Sequence, residues 1–380
     1  MSFPTAPMRS LLDAAHKAAL PEDEGNVWAL NLDQIESHSG KVLAKVMLDR
    51  NEVGPSTYVF NKGTVLYCKL RPYLNKVVVA DDDGVATTEL VPLRCDESKA
   101  LPHYLAHFLR SATFLAFATN VVAGAKMPRM VMSEFWSYPV PLPPLEEQRR
   151  IAAILDQAET LRTQRRTALG LLDSLTQSLF LDMFGEQTTF PRQPLDQVCE
   201  LITDGTHYTP TYVDTGVPFL SAKNVTSGYI DWESIKHIPE SLHQELQRRV
   251  APQKGDVLMA KNGTTGVAAI VDRDCIFDIY VSLALLRPSK DIDGVFLHAA
   301  LNSPLSKKQF NAALKGIGVP NLHLKDIRGT KIPVPPLPLQ QAFATRIASI
   351  EALKTIHRRA LAALDALFAS LQQRAFAGQL

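Results

Sequence analysis

The sequence predicts an α+β protein made of two tandem α/β domains with twisted β-sheets, each followed by a long α-helix. Two observations lead to this prediction. Motifs of the first half return in the second half after a shift of 192 positions, and each half ends in an uninterrupted helical pattern of about 39 residues with heptad spacing. The two helices are predicted to pair as an antiparallel coiled coil with pseudo-two-fold symmetry.

The repeat extends over most of both halves. Pro141-Leu-Pro-Pro-Leu-Glu-Glu-Gln148 returns as Pro333-Val-Pro-Pro-Leu-Pro-Leu-Gln340. Shorter matches at the same shift relate Lys62-Gly-Thr-Val-Leu66 to Lys254-Gly-Asp-Val-Leu258, Tyr104-Leu105 to Phe296-Leu297, Gly124 to Gly316, Met127-Pro128 to Val319-Pro320, and Leu172-Asp-Ser-Leu175 to Leu364-Asp-Ala-Leu367. Several matches at one shift indicate a tandem duplication.

Each half has the same predicted order of elements. It begins with β-rich runs separated by glycine and Asn-Gly turns, continues with one apolar-periodic helix, stops at a proline-rich segment and ends in the long helix. The predicted strands include 65–67, 76–80, 257–259 and 267–271, the shorter helices 101–116 and 295–313, and the long helices about 146–184 and 339–376. The resulting domain boundaries are 1–143, 144–187, 188–336 and 337–380.

The long helices carry apolar residues at heptad spacing, as expected for a coiled-coil seam. One seam position is polar in both copies, Arg165 and His357, which favours either a register-fixing role or a side chain reaching the edge of the seam. The predicted seam residues are Ile151, Ile154, Ala158, Leu161, Leu172, Leu175, Leu179, Phe343, Ile350, Leu353, Leu364, Leu367 and Leu371.

The composition is typical of a globular protein. Hydrophobic residues make up 46% and charged residues 21% of 380 residues, and no stretch approaches the roughly 20 apolar residues needed to cross a bilayer. The first 20 residues contain charges and no continuous apolar core, unlike a secretory signal. The four cysteines are far apart, as expected for reduced thiols. We therefore expect a cytoplasmic protein that does not enter a membrane.

The sequence offers no recognisable catalytic apparatus. It lacks a phosphate-binding loop and the motifs of S-adenosylmethionine-dependent adenine methyltransferases, and Gly263-Thr-Thr-Gly266 is best interpreted as a turn between strands. Glu97 and Lys99 with Asp81–Asp83 loosely resemble the carboxylate and lysine set of metal nucleases, but the second half does not repeat them. We therefore predict no catalytic residue, metal site or cofactor in this chain.

Several motifs together resemble type I restriction–modification specificity subunits. Pro143-Pro-Leu-Glu-Glu-Gln-Arg-Arg-Ile151, leading into a helix that ends Ser-Leu-Phe-Leu-Asp-Met-Phe-Gly185, is similar to that family's central conserved region. In the second half, motifs follow the order of the family's target-recognition domains: Asp204-Gly-Thr-His207, Gly216-Val-Pro-Phe-Leu220, Lys223-Asn224, Gly255-Asp-Val-Leu258, Lys261-Asn-Gly263 and Gly318-Val-Pro-Asn-Leu-His323. The first half departs from this order, since Lys69-Leu-Arg-Pro-Tyr73 replaces Lys261-Asn-Gly263.

The resemblance implies a non-catalytic, DNA-binding subunit. Each domain would read one half-site of a bipartite, asymmetric double-stranded DNA target, with a spacer set by the coiled coil. The chain would recruit two methyltransferase (modification) subunits, which methylate adenine at N6 with S-adenosylmethionine, and restriction/translocase subunits that use ATP and Mg²⁺. A net charge of only +1 fits partners that supply part of the grip on DNA.

Candidate DNA-contacting residues are polar side chains in glycine-rich loops, because bases are read by Arg, Lys, Asn and Gln and phosphates by Lys, Arg, Ser and Thr. Glycines such as Gly124 and Gly316–Gly318 more plausibly shape turns. The candidates are Lys69, Arg71, Tyr73, Asn75, Lys126 and Arg129 in the first domain, and Thr206, His207, Tyr208, Lys223, Asn224, Lys261, Asn262, Thr264, Thr265, Asn321 and His323 in the second.

Three alternatives stay open from the sequence. The chain could be a coiled-coil scaffold with two ligand-binding heads, a nuclease that uses Glu97 and Lys99, or the specificity subunit of a methylation-only system. The ordered motifs favour a specificity subunit over a scaffold. The specificity subunit of a methylation-only system would have the same sequence features, and only the neighbouring subunits distinguish it from that of a restriction system.

Overall fold

The structure, a computed structural model, describes residues 3–13, 18–20, 25–314 and 320–380. The chain divides into two compact units, residues 1–167 with 358–380 (unit 1) and residues 168–357 (unit 2). Each unit therefore contains one β-rich domain and one part of each long helix. The predicted turn at Gly316–Gly318 and the match at Val319 lie outside the described residues. Within those ranges, no helix is both long enough and apolar enough to cross a membrane.

Unit 1 contains eleven described strands and the beginning of the first long helix. The strands are β1 (Thr5–Pro7), β2 (Asn26–Leu30), β3 (Met47–Asp49), β4 (Thr57–Phe60), β5 (Val65–Cys68), β6 (Val77–Val79), β7 (Gly84–Thr87), β8 (Leu90–Leu93), β9 (Val122–Ala123), β10 (Arg129–Met130) and β11 (Pro139–Pro141). The helices are α1 (Pro102–Leu109), α2 (Ala112–Asn120), α3 (Met132–Ser137) and α4 (Leu145–Phe184), of which unit 1 holds residues up to 167.

Two sheets form the domain of unit 1. One has the order β3-β2-β7-β4, with β2 and β7 parallel, and the other is antiparallel with the order β6-β5-β8. Successive residues of β5 enter two different cores: Val65 packs with the helices, and Leu66 packs with Trp28 and Phe60 of the other sheet. Because side chains alternate across a strand, a strand buried on both faces reads as a continuous apolar run.

Unit 2 repeats this plan with nine described strands. Its strands are β12 (Arg192–Pro194), β13 (Cys199–Asp204), β14 (Val217–Leu220), β15 (Lys236–Ile238), β16 (Val257–Ala260), β17 (Ala268–Ile270), β18 (Asp278–Ile279), β19 (Leu283–Pro288) and β20 (Lys331–Pro333). Its helices are α5 (Leu195–Val198), α6 (Glu240–Leu246), α7 (Gly294–Asn302), α8 (Pro304–Ala313), α9 (Leu324–Gly329) and α10 (Leu337–Phe376), of which unit 2 holds residues up to 357.

The sheets of unit 2 have the orders β13-β19-β16-β17 and β15-β14-β18. The pairing of β16 with β17 and β19 corresponds to that of β5 with β6 and β8, and β14 with β18 is parallel, as β2 is with β7. The predicted strands at 65–67, 76–80, 257–259 and 267–271 are confirmed. The turn predicted at Gly263–Gly266 is also confirmed, since both glycines have positive φ between β16 and β17.

Each short helix predicted as one element is in fact two. The first breaks between α1 and α2, where the Ser111 hydroxyl caps α2 by accepting from the Phe114 N–H at 3.3 Å. The second breaks between α7 and α8, where Ser303 caps α8 and Pro304 occupies its first turn. A capping serine favours a helix start, so a continuous apolar pattern concealed the break.

The long helices match their predicted extents closely, and both begin after a Pro-Pro segment. Within unit 1, α4 and α10 run antiparallel: Arg150 reaches the backbone carbonyl of Leu380 at 2.7 Å, and Arg162 reaches Asp365 at 2.6 Å. Within unit 2, the same order holds, because Asp173 pairs with Lys354 at 2.8 Å and Met183 lies against Arg346.

The observed seam agrees with the prediction at one of the two heptad positions and differs from it at the other. Ile151, Ala158, Phe343 and Ile350 are buried, and Leu172, Leu179, Leu364 and Leu371 are partly buried. Leu161, Leu175, Leu353 and Leu367 are 40–49% exposed and do not belong to the packed seam, so their assignment is corrected. Ile154 is half-buried, whereas its neighbour Leu155 is fully buried. The packed positions are one residue later, at Leu155, Arg162, Leu169, Thr176, Ile347, Lys354, Leu361 and Phe368.

The polar residues at these positions explain the displacement. Arg162 is 15% exposed and pairs with Glu159 and Asp365, each at 2.6 Å, while its guanidinium lies over the Phe368 ring. In unit 2, Lys354 pairs with Glu351 at 2.7 Å and with Asp173. Because Arg162 and Lys354 are cations, a search for apolar residues assigns the seam to the adjacent Leu161 and Leu353 instead. Arg165 and His357 are half-buried, in agreement with the seam position predicted for them.

Candidate nucleic-acid interface

Two loops of unit 1 are joined by backbone contacts. The Met130 N–H donates to the Lys69 carbonyl at 2.8 Å, and the Arg71 N–H donates to the Pro128 carbonyl at 2.7 Å. Leu70 forms an isolated antiparallel bridge with Arg129. Residues 69–75 and 126–130, called the first loop pair below, therefore form one surface.

The same arrangement is present in unit 2. The Leu322 N–H donates to the Lys261 carbonyl at 2.9 Å, the Gly263 N–H donates to the Pro320 carbonyl at 3.3 Å, and Asn262 bridges Asn321. Every one of these contacts is shifted by 192 positions from its counterpart. Residues 261–265 and 320–323, the second loop pair, thus keep the backbone of the first while their side chains differ.

The centre of each loop pair is left-handed. Gly263 has φ 74°, which glycine adopts freely, but its counterpart Arg71 has φ 49°. A left-handed conformation costs a residue with a Cβ atom about 1 kcal/mol or more. Pro72 follows in a 3-10 turn, and the exposed Arg71 side chain projects from this bend. Strain of this kind is concentrated at functional sites.

A charged cluster adjoins the second loop pair. The Asp204 carboxylate, 5% exposed, accepts from Lys261 Nζ at 2.5 Å, from Arg249 Nη2 at 3.0 Å and from His207 Nε2 at 3.2 Å. Burial alone would raise the pKa of Asp204, but the hydrogen bond and charge of Lys261, supported by His207, hold it below its ordinary value. The Asp204 carboxylate therefore holds the side chains of Lys261, Arg249 and His207 in place.

Ser282 brings Lys223 to the same region. The Ala222 N–H donates to the Ser282 hydroxyl at 3.0 Å, and the Lys261 N–H donates to the Ser282 carbonyl at 2.8 Å. The segments that contain Lys223 and Lys261 are consequently anchored on one residue. Most of the second-domain candidates thus lie on neighbouring loops.

The structure divides the predicted contact residues by exposure. Those with exposed side chains are Arg71, Tyr73, Lys126, His207, Tyr208, Lys223, Asn262, Thr264 and His323. Those of intermediate exposure are Lys69, Arg129, Thr265 and Asn321, and those that are buried are Asn75, Thr206, Asn224 and Lys261. Arg129 is also engaged by Glu89 through two nitrogens, Nε at 2.9 Å and Nη2 at 2.7 Å.

Three of the four buried residues, Asn75, Asn224 and Lys261, are corrected from direct contacts to loop supports. Asn75 donates to the Arg110 carbonyl at 3.1 Å, and Asn224 accepts from the Ser221 N–H at 2.9 Å and donates to the Ser234 carbonyl at 3.1 Å. Lys261 is held by Asp204. Thr206 is only 4% exposed and its hydroxyl has no hydrogen-bond partner in the described part of the chain, so its burial alone speaks against a direct contact. Buried backbone groups in loops need partners, and short polar side chains supply them.

Arg249 is the cation of this region that the motifs did not identify. It lies three residues after α6, in a segment without glycine or a recognised motif, and its only sequence signal is the Arg248-Arg249 pair. Its side chain is 50% exposed although it is fixed to Asp204.

The residues compared with a nuclease site are arranged otherwise. Lys99 pairs with Asp96 at 2.7 Å, and Asp81 pairs with Lys45 at 2.9 Å, so each group is engaged by a local partner. Across the described ranges, no three His, Cys, Asp or Glu side chains are grouped so that they could hold a metal ion.

Comparison with known proteins identifies similar specificity subunits. The subunit of the type I restriction enzyme EcoDI from Escherichia coli is 32% identical over 181 residues, 47% of this chain and 40% of that protein. The MjaVIII subunit from Methanocaldococcus jannaschii is 26% identical over 267 residues, 64% of this chain and 62% of that protein. Both matches span less than two thirds of the relative's length.

The fold and the family are also shown by comparison. The crystal structure of the type I restriction-modification system S subunit from M. genitalium shares the fold, with a TM-score of 0.61 at 15% identity over 99% of this chain and 96% of that one. Residues 52–169 and 192–366 match the model of the type I restriction modification DNA specificity domain. Since these two matches cover most of the chain, the protein belongs to the type I restriction modification DNA specificity domain family.

Proposed function

We propose that this chain is the specificity subunit of a type I restriction–modification complex, and that the domain of each unit reads one half of a bipartite DNA target. The observation that carries the proposal is the duplicated loop pair. Its backbone hydrogen bonds are repeated at a shift of 192, whereas the residues it presents are different. A repeated backbone frame that carries different side chains suits two readers of different sequences.

The different side chains make the target asymmetric. Arg71 of the first loop pair corresponds to Gly263 of the second, and Arg129 corresponds to Asn321. Arginine pairs best with guanine and asparagine with adenine in the major groove, so the two half-sites would differ. The proposed contacts are Lys69, Arg71, Tyr73, Lys126 and Arg129 in the first half, and His207, Tyr208, Lys223, Asn262, Thr264, Thr265, Asn321 and His323 in the second.

The chemistry belongs to other subunits in this proposal. Two modification subunits would methylate adenine at N6 with S-adenosylmethionine, and restriction/translocase subunits would use ATP and Mg²⁺. The chain itself would contribute no catalytic group, and it would work on cellular DNA in the cytoplasm. A system that only methylates would contain the same reader and lack the restriction subunits.

The long helices offer the proposed docking surface for the modification subunits. Several large apolar side chains on α4 and α10 stay exposed outside the seam, and burial of such side chains stabilises protein–protein contacts. In unit 2 the side chains are Leu171, Leu175, Leu181, Leu353 and Ile356, with exposures from 38% to 66%. In unit 1 they are Leu161 and Leu367, which are 40% and 49% exposed.

Mapping of methylated adenines in the host genome, with and without this gene, tests the proposal. We expect one bipartite, gapped motif to lose its methylation when the gene is deleted, and to regain it when the gene is returned on a plasmid. An unchanged set of methylated motifs in a strain that expresses the modification subunits would contradict the proposal. Co-purification of the tagged chain then separates a scaffold from a reader, because a scaffold retains protein partners without retaining duplex DNA.

A further inference from the structure

We propose that Arg249, with His207 beside it, forms a site for a DNA backbone phosphate at the edge of the second loop pair. The inference rests on the proposed function, because it names the part of the DNA that this cluster binds. Neither residue lies in the loop pair itself, and both are fixed to the Asp204 carboxylate.

The charges of the cluster leave a surplus of positive charge at the surface. Asp204 and Lys261 are both buried, with side chains 5% and 8% exposed, and they neutralise each other at 2.5 Å. Arg249 is therefore not needed to compensate the buried carboxylate, and its side chain is 50% exposed. The Asp204 carboxylate fixes the orientation of the Arg249 guanidinium, which stays accessible to solvent. Asp204 therefore acts as a positioning residue.

The free donors of the cluster suit a phosphate. A guanidinium has five N–H donors, and Arg249 gives one Nη2 contact to Asp204. About four donors remain, and a phosphate oxygen accepts from any of them, so Arg249 can hold a phosphate while Asp204 fixes its orientation. The exposed imidazole of His207, 66% exposed, adds a further polar group on the same carboxylate.

The site is specific to unit 2. Asp204 ends β13, which pairs with β19, and in unit 1 the corresponding segment bridges Leu12 to Cys95 just beyond β8. The repeat thus places Leu12, which has no carboxylate, at the position of Asp204, and Lys69, the counterpart of Lys261, is half-exposed rather than buried. The proposed phosphate contact therefore belongs to one head only.

Salt-dependent DNA binding tests this site. The full-length chain, in complex with the modification subunits that co-purify with it, is titrated with a labelled duplex that carries the mapped motif and with a scrambled duplex. Each neutralised phosphate contributes about 0.9 to the slope of log affinity against log salt, so measurements between about 50 and 200 mM salt resolve one contact. Arg249→Gln should reduce the slope by about 1 and weaken both duplexes by the same factor.

Three further variants make the result specific. Arg248→Gln removes the same charge from the adjacent exposed residue and should leave the slope close to that of the wild type. Arg249→Lys keeps the charge and should retain most of the slope, and His207→Gln should weaken both duplexes equally. Thermal unfolding of each variant checks that the domain is folded, which we expect because Asp204 keeps Lys261 as its partner.

Two outcomes would overturn the phosphate site alone: equal slopes for Arg249→Gln and Arg248→Gln, or a loss confined to the motif duplex with an altered base preference, which would make Arg249 a base reader. If the wild-type complex binds the motif duplex no more tightly than the scrambled duplex, the proposed function is overturned, whereas the phosphate site is still decided by the slopes of Arg249→Gln and Arg248→Gln.

Discussion

Gln340 makes in unit 2 the same three hydrogen bonds that Gln148 makes in unit 1, and all partners are related by the 192-residue shift. The Gln148 carboxamide accepts from the Leu101 N–H at 2.9 Å and donates to the carbonyls of Lys99 and Pro143 at 2.8 and 2.9 Å. Gln340 accepts from the Asp293 N–H at 2.9 Å and donates to the carbonyls of residues 291 and 335 at 3.2 and 2.8 Å. Each glutamine joins the start of a long helix to its domain.

Replacing either glutamine with alanine should destabilise its unit. Both side chains are fully buried, so Gln148→Ala or Gln340→Ala leaves three backbone groups without their partner. A buried unpaired group costs about 1–3 kcal/mol, and we expect a loss of about 3 kcal/mol in the free energy of unfolding. Urea unfolding measures this loss, with the exposed Gln164→Ala on α4 as the control. Equal stability of Gln148→Ala and Gln164→Ala would contradict the structural role.

A second prediction concerns Lys354. The change in the free energy of unfolding should depend on whether the lysine or its two carboxylate partners are removed. Lys354 is 5% exposed, whereas Asp173 and Glu351 are 68% and 47% exposed in their side chains. Lys354→Leu leaves carboxylates that water can solvate, so stability should be unchanged or higher. Asp173→Asn with Glu351→Gln leaves a buried ammonium without its carboxylates and should cost about 3 kcal/mol. Thermal and urea unfolding compare the two; a greater loss from Lys354→Leu would refute the argument.

The same residues show why the sequence predicted the helices better than their packing. The extents of α4 and α10 follow from long runs without proline and from periodic apolar residues, which are local properties. The seam, however, contains Arg162, Thr176 and Lys354. A search for apolar residues therefore assigned one of the two heptad positions to the neighbouring leucines. Which stripe is packed depends on ion pairs between residues distant in the sequence, and no local pattern contains that information.

The candidate site was predictable to a similar degree. Glycine and asparagine identified the loops correctly, and the repeat related Lys69 to Lys261. Polar residue type could not distinguish Asn224, which supports a loop, from Asn262, which is exposed. Arg249 was missed because its link to Asp204 spans 45 positions and no motif marks it. Burial and long-range pairing decide these roles, and both emerge only with the fold.

The ionised Asp156 carboxylate should make part of the free energy of unfolding of unit 1 depend on pH. Burial would raise its pKa, but hydrogen bonds from His103 at 3.0 Å and His107 at 2.7 Å lower it well below the ordinary value. A carboxylate with a lowered pKa contributes stability above its unfolded value of about 3.9, and loses it as the pH falls through the folded value. Asp156→Asn should therefore be less stable than the wild type at neutral pH.

Urea unfolding between about pH 7 and about pH 2.5 measures the effect, and the difference should narrow at the acid end. Asp182→Asn, which removes an exposed carboxylate from the same helix, is the control. A difference that is constant over this range would show that the carboxylate's charge does not stabilise unit 1.

The exposed leucines of the long helices should matter for assembly more than for folding. Leu175 is 48% exposed on α4, so Leu175→Glu should leave the unfolding free energy nearly unchanged. If modification subunits cover this surface, the variant should bind them about tenfold more weakly or worse, which corresponds to about 1.4 kcal/mol. Quantitative co-purification with the tagged chain measures this. Gln177→Glu adds the same charge to an exposed position on α4, and an equal loss of binding in that control would argue against an apolar contact.

Arg71 should determine one base pair of the first half-site. Its left-handed backbone is what Gly263 adopts without strain, so Arg71→Gly should keep the loop and leave stability unchanged or up to about 1 kcal/mol higher. A specific arginine–base contact is worth about 1–3 kcal/mol, so affinity for the motif should fall about tenfold or more. Methylation mapping of the variant strain should show relaxed sequence at one position of one half only.

The matched variant is Asn262→Gly, at an exposed position of the second loop pair, which should relax the other half of the motif. If Arg71→Gly methylated the original motif completely and bound it with wild-type affinity, Arg71 would not be a reader. If it lost both halves together and unfolded at lower urea, its role would be to hold the loop. Retained stability with one relaxed position is the result that assigns the strain at Arg71 to recognition, because a role in holding the loop predicts a loss of stability instead.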